Sequence, residues 1–81
     1  MEKNTVALKS LADGQSGVVE RIGLDGATKR RLIEMGITPG TRVSVLKRAP
    51  LGDPIEILLR GYSLTIRGTD AEKILVSEVR Q

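Results

Sequence analysis

The stretch APLGDPIEILLRGY, residues 49–62, decides the fold of this chain. Two apolar-rich, alternating segments meet there at a loop built from Pro50, Gly52 and Pro54. Proline fixes its own φ and has no N–H, and glycine reaches positive φ freely, so the loop is a specified turn. Folding the chain about Gly52 makes Ala49 face Ile55, Lys47 face Ile57 and Val45 face Leu59. On the other side Arg48 meets Glu56, and Leu46 meets Leu58. Cross-strand neighbours set hairpin stability, and mostly apolar pairs with one opposite-charge pair suit a hairpin of residues 41–49 and 55–60. Leu46 and Leu58 then lie on the face opposite Val45 and Leu59, so something must cover them.

Upstream, residues 17–22 (GVVERI) read as a strand, with Val18, Glu20 and Ile22 alternating against Val19 and Arg21. Leu8 and Leu11 precede the turn signal Asp13-Gly14, and residues 1–5 are polar and loose. Asp25 is placed to cap a helix over 26–35, with Thr28, Leu32 and Met35 on one face, Ile33 exposed and Gly36 at the C-cap. Pro39-Gly40 fits the centre of a type II turn. Downstream, Gly61-Tyr62 leads tightly into a strand over 63–67. Residues 69–74 read as one helical turn, capped by Thr69 or Asp70, with Ala71 and Ile74 inward, and 75–80 as a last strand carrying Val76 and Val79. The chain is therefore mainly β: a small barrel or sandwich of about five strands, with one short α-helix and a helical turn before the last strand.

With 81 residues, 1–81 form a single domain with a modest core. Hydrophobic residues make up 40%, enough for a globular fold, and Tyr62 is the only aromatic, so the core is aliphatic. There is no cysteine and no histidine, which removes disulfides, thiolate chemistry, the commonest general base and the commonest transition-metal ligand. No apolar run approaches the roughly 20 residues of a membrane helix, and MEKNTVALKS lacks a signal peptide's apolar centre. The expectation is a cytoplasmic protein without membrane insertion.

Asp13, Asp25, Asp53 and Asp70 all stand at turns or caps, where aspartate serves the backbone, and Glu56 already has a cationic neighbour. No catalytic set, cofactor site or metal site is expected. The net charge is +3, with a basic cluster at Lys29-Arg30-Arg31 and arginines 42, 48, 60 and 67 on strands. Small basic β-barrels can bind RNA, but single-strand binding leans on aromatic platforms, and this chain offers one. A solvated basic face is the simpler reading.

The run EMGITPGTRVSVLKRAPLGDPIEILLRGYSLTIR, residues 34–67, resembles the ferrous iron transport protein A (FeoA) family. The likeness extends upstream through LKSLADGQSGVVERI and downstream into DAEKILVSEV, covering nearly the whole chain. Met-Gly-Ile-Thr-Pro-Gly and Ala-Pro-Leu-Gly-Asp-Pro are specific in combination. The resemblance implies an SH3-like barrel. It also implies a cytoplasmic accessory of a bacterial ferrous-iron transporter, whose large membrane partner, FeoB, carries a GTP-binding domain. Related domains occur in some iron-dependent transcription regulators, but the stand-alone transport accessory is the better match.

The expectation is thus a protein-interaction module that docks on the cytoplasmic GTP-binding portion of the transporter and modulates uptake, with a small RNA-binding barrel as the alternative. Leu46 and Leu58 are its expected centre, with Ile33 and Leu51 as neighbours and a second copy as another occupant. Gly52 and Asp53 at the turn, and Arg60 and Tyr62 at the hairpin's far end, complete the candidate set. Asp53 is also expected to hold its loop by accepting a backbone N–H. With no Cys or His, the purified protein should bind ferrous iron no better than a generic acidic surface. Calorimetry checks this, and a stoichiometric sub-micromolar site would contradict it.

Overall fold

The computed structural model describes residues 4–48 and 53–81. It contains strands β1 (Val6–Ala7), β2 (Ser16–Ile22), β3 (Arg42–Arg48), β4 (Ile55–Leu59), β5 (Tyr62–Ile66) and β6 (Ile74–Arg80). Helices α1 (Gly26–Glu34) and α2 (Gly68–Ala71) interrupt them, and Leu8–Ser10 forms a 3₁₀ turn. All strand pairs are antiparallel, in the order β1-β6-β2-β3-β4-β5. There are six strands rather than about five. The added one, β1, is a two-residue strand beside β6 (Val6 opposite Val76, Ala7 opposite Leu75), too short to show a period. Among the described residues the sheet does not close, since β1 and β5 each have one neighbour.

The core is aliphatic, as the composition requires. Val19, Val43, Val45, Ile55, Ile57, Ile74 and Val76 bury one face of the sheet, and Leu8, Leu11, Leu32, Ile37 and Ala71 cover it. The strand alternation is broken at bulges, and each break corrects a sequence expectation. In β2 the buried residues are Gly17, Val19 and Ile22. The pairing with β6 slips between Val19 and Arg21, so Glu20 is an extra residue and the faces exchange. Val18 and Glu20 therefore do not share the buried face with Ile22. A second slip, between Ser16 and Val18, falls beside Glu78, whose φ is 50°. Ser77 is buried beside Val76, and Val79 is 41% exposed.

Helix α1 ends with a Schellman motif, which is why the chain turns where it does. Gly36 N–H donates to the Ile33 carbonyl and Ile37 N–H to the Leu32 carbonyl, both at 3.0 Å. Gly36 sits at φ 102°, and the flanking Leu32 and Ile37 are fully buried. Asp25 occupies the N-cap, but its side chain makes no capping bond. Helix α2 starts earlier than expected, with Arg67 rather than Thr69 or Asp70 at its N-cap. Ala71 and Ile74 are fully buried, as their spacing requires.

The approach of β6 to β2 leaves no room for a side chain at Gly17. A Cβ there would lie 2.8 Å from Val76 Cγ2 and 3.2 Å from the Ser77 carbonyl oxygen. Gly17→Ala should therefore destabilise the protein by about 1–3 kcal/mol through overpacking, read as a lower denaturation midpoint in urea.

Candidate docking face

The β3–β4 ladder corrects the sequence register. Ser44 faces Leu58 and Val45 faces Ile57, while Lys47 faces Glu56 and Arg48 faces Ile55. Between them the pairing slips, and Leu46 is the unpaired residue of the bulge. Leu46 and Leu58 are thus not opposite one another, and Glu56 has Lys47 rather than Arg48 across from it. Ala49 lies outside the described residues. Both leucines nevertheless point away from the core, at 41% and 38% exposure, while Val45, Ile57 and Leu59 are buried. Leu46 stands two residues beyond Ser44, the partner of Leu58, so the leucines sit diagonally across one face. Small polar residues adjoin Leu58 on both sides, Ser44 on β3 and Ser63 on β5. Neither α1 nor the Leu8–Leu11 segment covers the pair, because Leu32, Leu8 and Leu11 are themselves core.

The far end of the hairpin is tied down from within. Arg60 (φ 49°) and Gly61 (φ 85°) form the two-residue turn between β4 and β5, both in the left-handed region of a type I′ turn. That conformation disfavours arginine, and the Arg60 guanidinium is engaged at once: Nη2 donates to Thr41 Oγ1 at 3.1 Å. Thr41 is buried and its hydroxyl also meets Thr38 Oγ1 at 3.0 Å. Tyr62 donates its hydroxyl to the Met35 carbonyl at the end of α1. A Cβ on Gly36 would lie 2.7 Å from that hydroxyl, so the glycine serves both the positive φ and the tyrosine. Arg60 and Tyr62 therefore clamp the hairpin onto the loop after α1, although the tyrosine remains 43% exposed. Ile33, on α1, is 40% exposed.

Of the loop candidates, Leu51 and Gly52 lie outside the described residues. Asp53 does accept a backbone N–H, but across the fold rather than within its loop. Gly68 N–H donates to Asp53 Oδ1 at 2.7 Å, joining the hairpin loop to the first residue of α2. Arg48, absent from the candidate set, braces the N-terminal turn. Its Nη2 donates to the carbonyls of Lys9, at 2.6 Å, and Leu11, and its Nε lies 3.9 Å from Asp13 Oδ1.

Sequence reasoning also missed a cleft of about 260 Å³ between the two helices, lined by Ala27, Thr28, Arg31, Arg67 and Asp70. Arg31 was legible as part of a basic cluster, but no spacing in the sequence connects it with Arg67. Among the described residues no three acidic side chains gather as a metal-holding group, and no helix is long and apolar enough to cross a membrane.

These features define a small, open-sheet β module that offers an exposed apolar pair on one face and a polar cleft between its helices. The chain belongs to the FeoA domain family, whose profile matches residues 6–78. It is 35% identical over 69 residues to a Porphyromonas gingivalis Fe(2+) transport protein A/Fe(2+) transporter FeoB fusion protein. That match covers 85% of this chain but only 8% of the fusion protein. The solution structure of the Chlorobium tepidum FeoA protein superposes with TM-score 0.84 at 36% identity, over 90% of this chain and 70% of that one. The Stenotrophomonas maltophilia FeoA structure, described as a prokaryotic SH3 domain protein, superposes with TM-score 0.82 at 24% identity, over 94% of this chain and 96% of that one. The fold is accordingly SH3-like, with the sheet left open between β1 and β5.

Asp53→Ala leaves the Gly68 N–H without its acceptor. The loss should be about 1 kcal/mol of folding free energy, the scale of one partly buried hydrogen bond, measured by urea denaturation.

Proposed function

We propose that this chain is a cytoplasmic, non-enzymatic accessory of a ferrous-iron uptake system, and that it docks on the soluble GTP-binding portion of the membrane transporter and modulates uptake. One observation carries the reading: in the Porphyromonas gingivalis relative, by its name, a transport protein A and the transporter FeoB form one polypeptide. A tether makes an encounter intramolecular, and effective concentrations reach roughly the millimolar range, which is useful where the two parts touch.

The docking face is the outer side of the β3–β4 ladder, centred on Leu46 and Leu58. Two exposed leucines beside Ser44 and Ser63, bordered by the Lys47–Glu56 pair, make an apolar surface with a polar rim that a protein partner can cover. Arg60 and Tyr62 belong to the same hairpin and flank its far end. The RNA reading is weaker, because Tyr62 is the one aromatic for base stacking and its hydroxyl is committed to the Met35 carbonyl.

Leu58→Ser tests the face. The side chain is exposed, so the variant should stay folded, within about 0.5 kcal/mol of the parent in urea denaturation. Its affinity for the transporter's soluble portion, measured by calorimetry with and without GTP, should fall at least about tenfold, a modest share of what a buried interface anchor contributes. Unchanged affinity would move the docking face elsewhere. No binding by the parent chain would remove the docking proposal.

A further inference from the structure

The cleft between α1 and α2 is independent of the leucine face. Its chemistry comes from two separate elements: Thr28 and Arg31 from α1, Arg67 and Asp70 from the β5–α2 junction. Among the described residues, neither arginine makes an ion pair or a side-chain hydrogen bond, and the Asp70 carboxylate makes none either. Three other arginines are committed within the fold. Arg42 donates to Ser16 Oγ and the Glu78 carbonyl, Arg48 to two carbonyls, and Arg60 to Thr41. Arg31 and Arg67 are thus brought to one cavity and left uncommitted there.

We propose that this cleft is an oxyanion site that takes a phosphate group, held by the guanidinium groups of Arg31 and Arg67 with the Thr28 hydroxyl as an additional donor. A guanidinium presents its N–H groups as a planar fork that matches phosphate oxygens two at a time, and two forks from different elements can grip one group from two directions. Without an anion the two cations repel each other. With one, both make charge-assisted bonds. The cleft volume of about 260 Å³ is below the roughly 300–1,000 Å³ of sites that enclose a drug-sized ligand, so it suits a phosphate group rather than a whole cofactor. Asp70 is the one acidic side chain of the lining and opposes the anion, leaving a net charge of one positive unit. It sets the sign of a control, because removing its charge should tighten binding while removing either arginine should weaken it.

The experiment is an amide chemical-shift titration of the full chain with inorganic phosphate, against sodium chloride at matched ionic strength. Phosphate should give saturable shifts at Ala27, Thr28, Arg31 and Asp70 that chloride does not reproduce. Arg31→Gln and Arg67→Gln should each weaken the site about tenfold, the scale of one lost charge-assisted contact. Asp70→Asn should strengthen it. Arg31 and Arg67 are exposed and Asp70 is half-buried, and the unchanged remainder of each spectrum certifies the fold. A second arm separates the sources of the group: sedimentation with vesicles of phosphatidylcholine and phosphatidic acid in equal parts. Sedimentation reversed by free phosphate assigns the site to a lipid headgroup, and phosphate binding without sedimentation assigns it to a soluble phosphate compound. The proposal fails if chloride reproduces the shifts, if they do not saturate, or if the arginine variants bind as the parent does.

Discussion

The seam between β2 and β6 joins the two ends of the chain, and the remaining structure depends on it. Ser16 pairs with Arg80 and Val19 with Val76, so the last strand lies between the first long strand and β1. Without that pairing β2, β3, β4 and β5 form only a four-stranded sheet, whose apolar face lacks the cover that β6 brings. With it, Val76 and Ile74 meet Val19 and Ile22, and Leu8, Leu11 and Ala71 are drawn over the same core. The cost of bringing the ends together has to be met by burial, since a chain with one aromatic has no large ring to add. Gly17 permits the approach, and the two slips in this seam let the sheet bend around aliphatic side chains.

Element type was legible wherever a period ran uninterrupted for several residues. The helix after Asp25, the hairpin around Gly52 and the inward Ala71 and Ile74 all follow from spacing. The face grouping failed at Glu20 and the cross-strand partner failed at Leu46, and for one reason. A bulge inserts a single residue, and beyond it every inward position becomes an outward one. No residue type marks those two places, since Glu20 and Leu46 are ordinary strand residues, and at the other slip of the seam Glu78 takes its positive φ without being glycine or asparagine. The exposed state of Leu46 and Leu58 was still readable, because both adjoin residues whose burial was secure. The Arg31–Arg67 cleft was not, since it depends on how α1 is set against the β5–α2 junction, a tertiary arrangement without a local signal.

The clamp at the hairpin's far end changes how Arg60 and Tyr62 are understood. Sequence alone presents them as surface residues available to a partner. In the fold each spends its polar group on the loop that follows α1, Arg60 on Thr41 and Tyr62 on the Met35 carbonyl. The Met-Gly-Ile-Thr-Pro-Gly element is therefore one half of a contact whose other half is the Arg60-Gly61-Tyr62 turn. Two motifs distant in sequence meet as one joint, which holds the leucine-bearing hairpin in a fixed orientation to the helix.

An open sheet also has consequences for how copies of the molecule behave in a crowded solution. Each terminal strand exposes unpaired backbone groups, a template for unwanted strand addition. The β1 edge is two residues long and offers little to copy. The β5 edge is longer, and Tyr62–Ile66 contains no charge and no proline. Arg60 and Arg67 stand immediately beyond its two turns of sequence, flanking it as gatekeepers do an aggregation-prone segment. Stacking two such edges would bring four guanidinium groups together on molecules that already carry a net charge of +3. Arg67, which also lines the cleft between the helices, therefore doubles as a colloidal safeguard, and an anion bound in that cleft would neutralise part of the charge that keeps the chains apart.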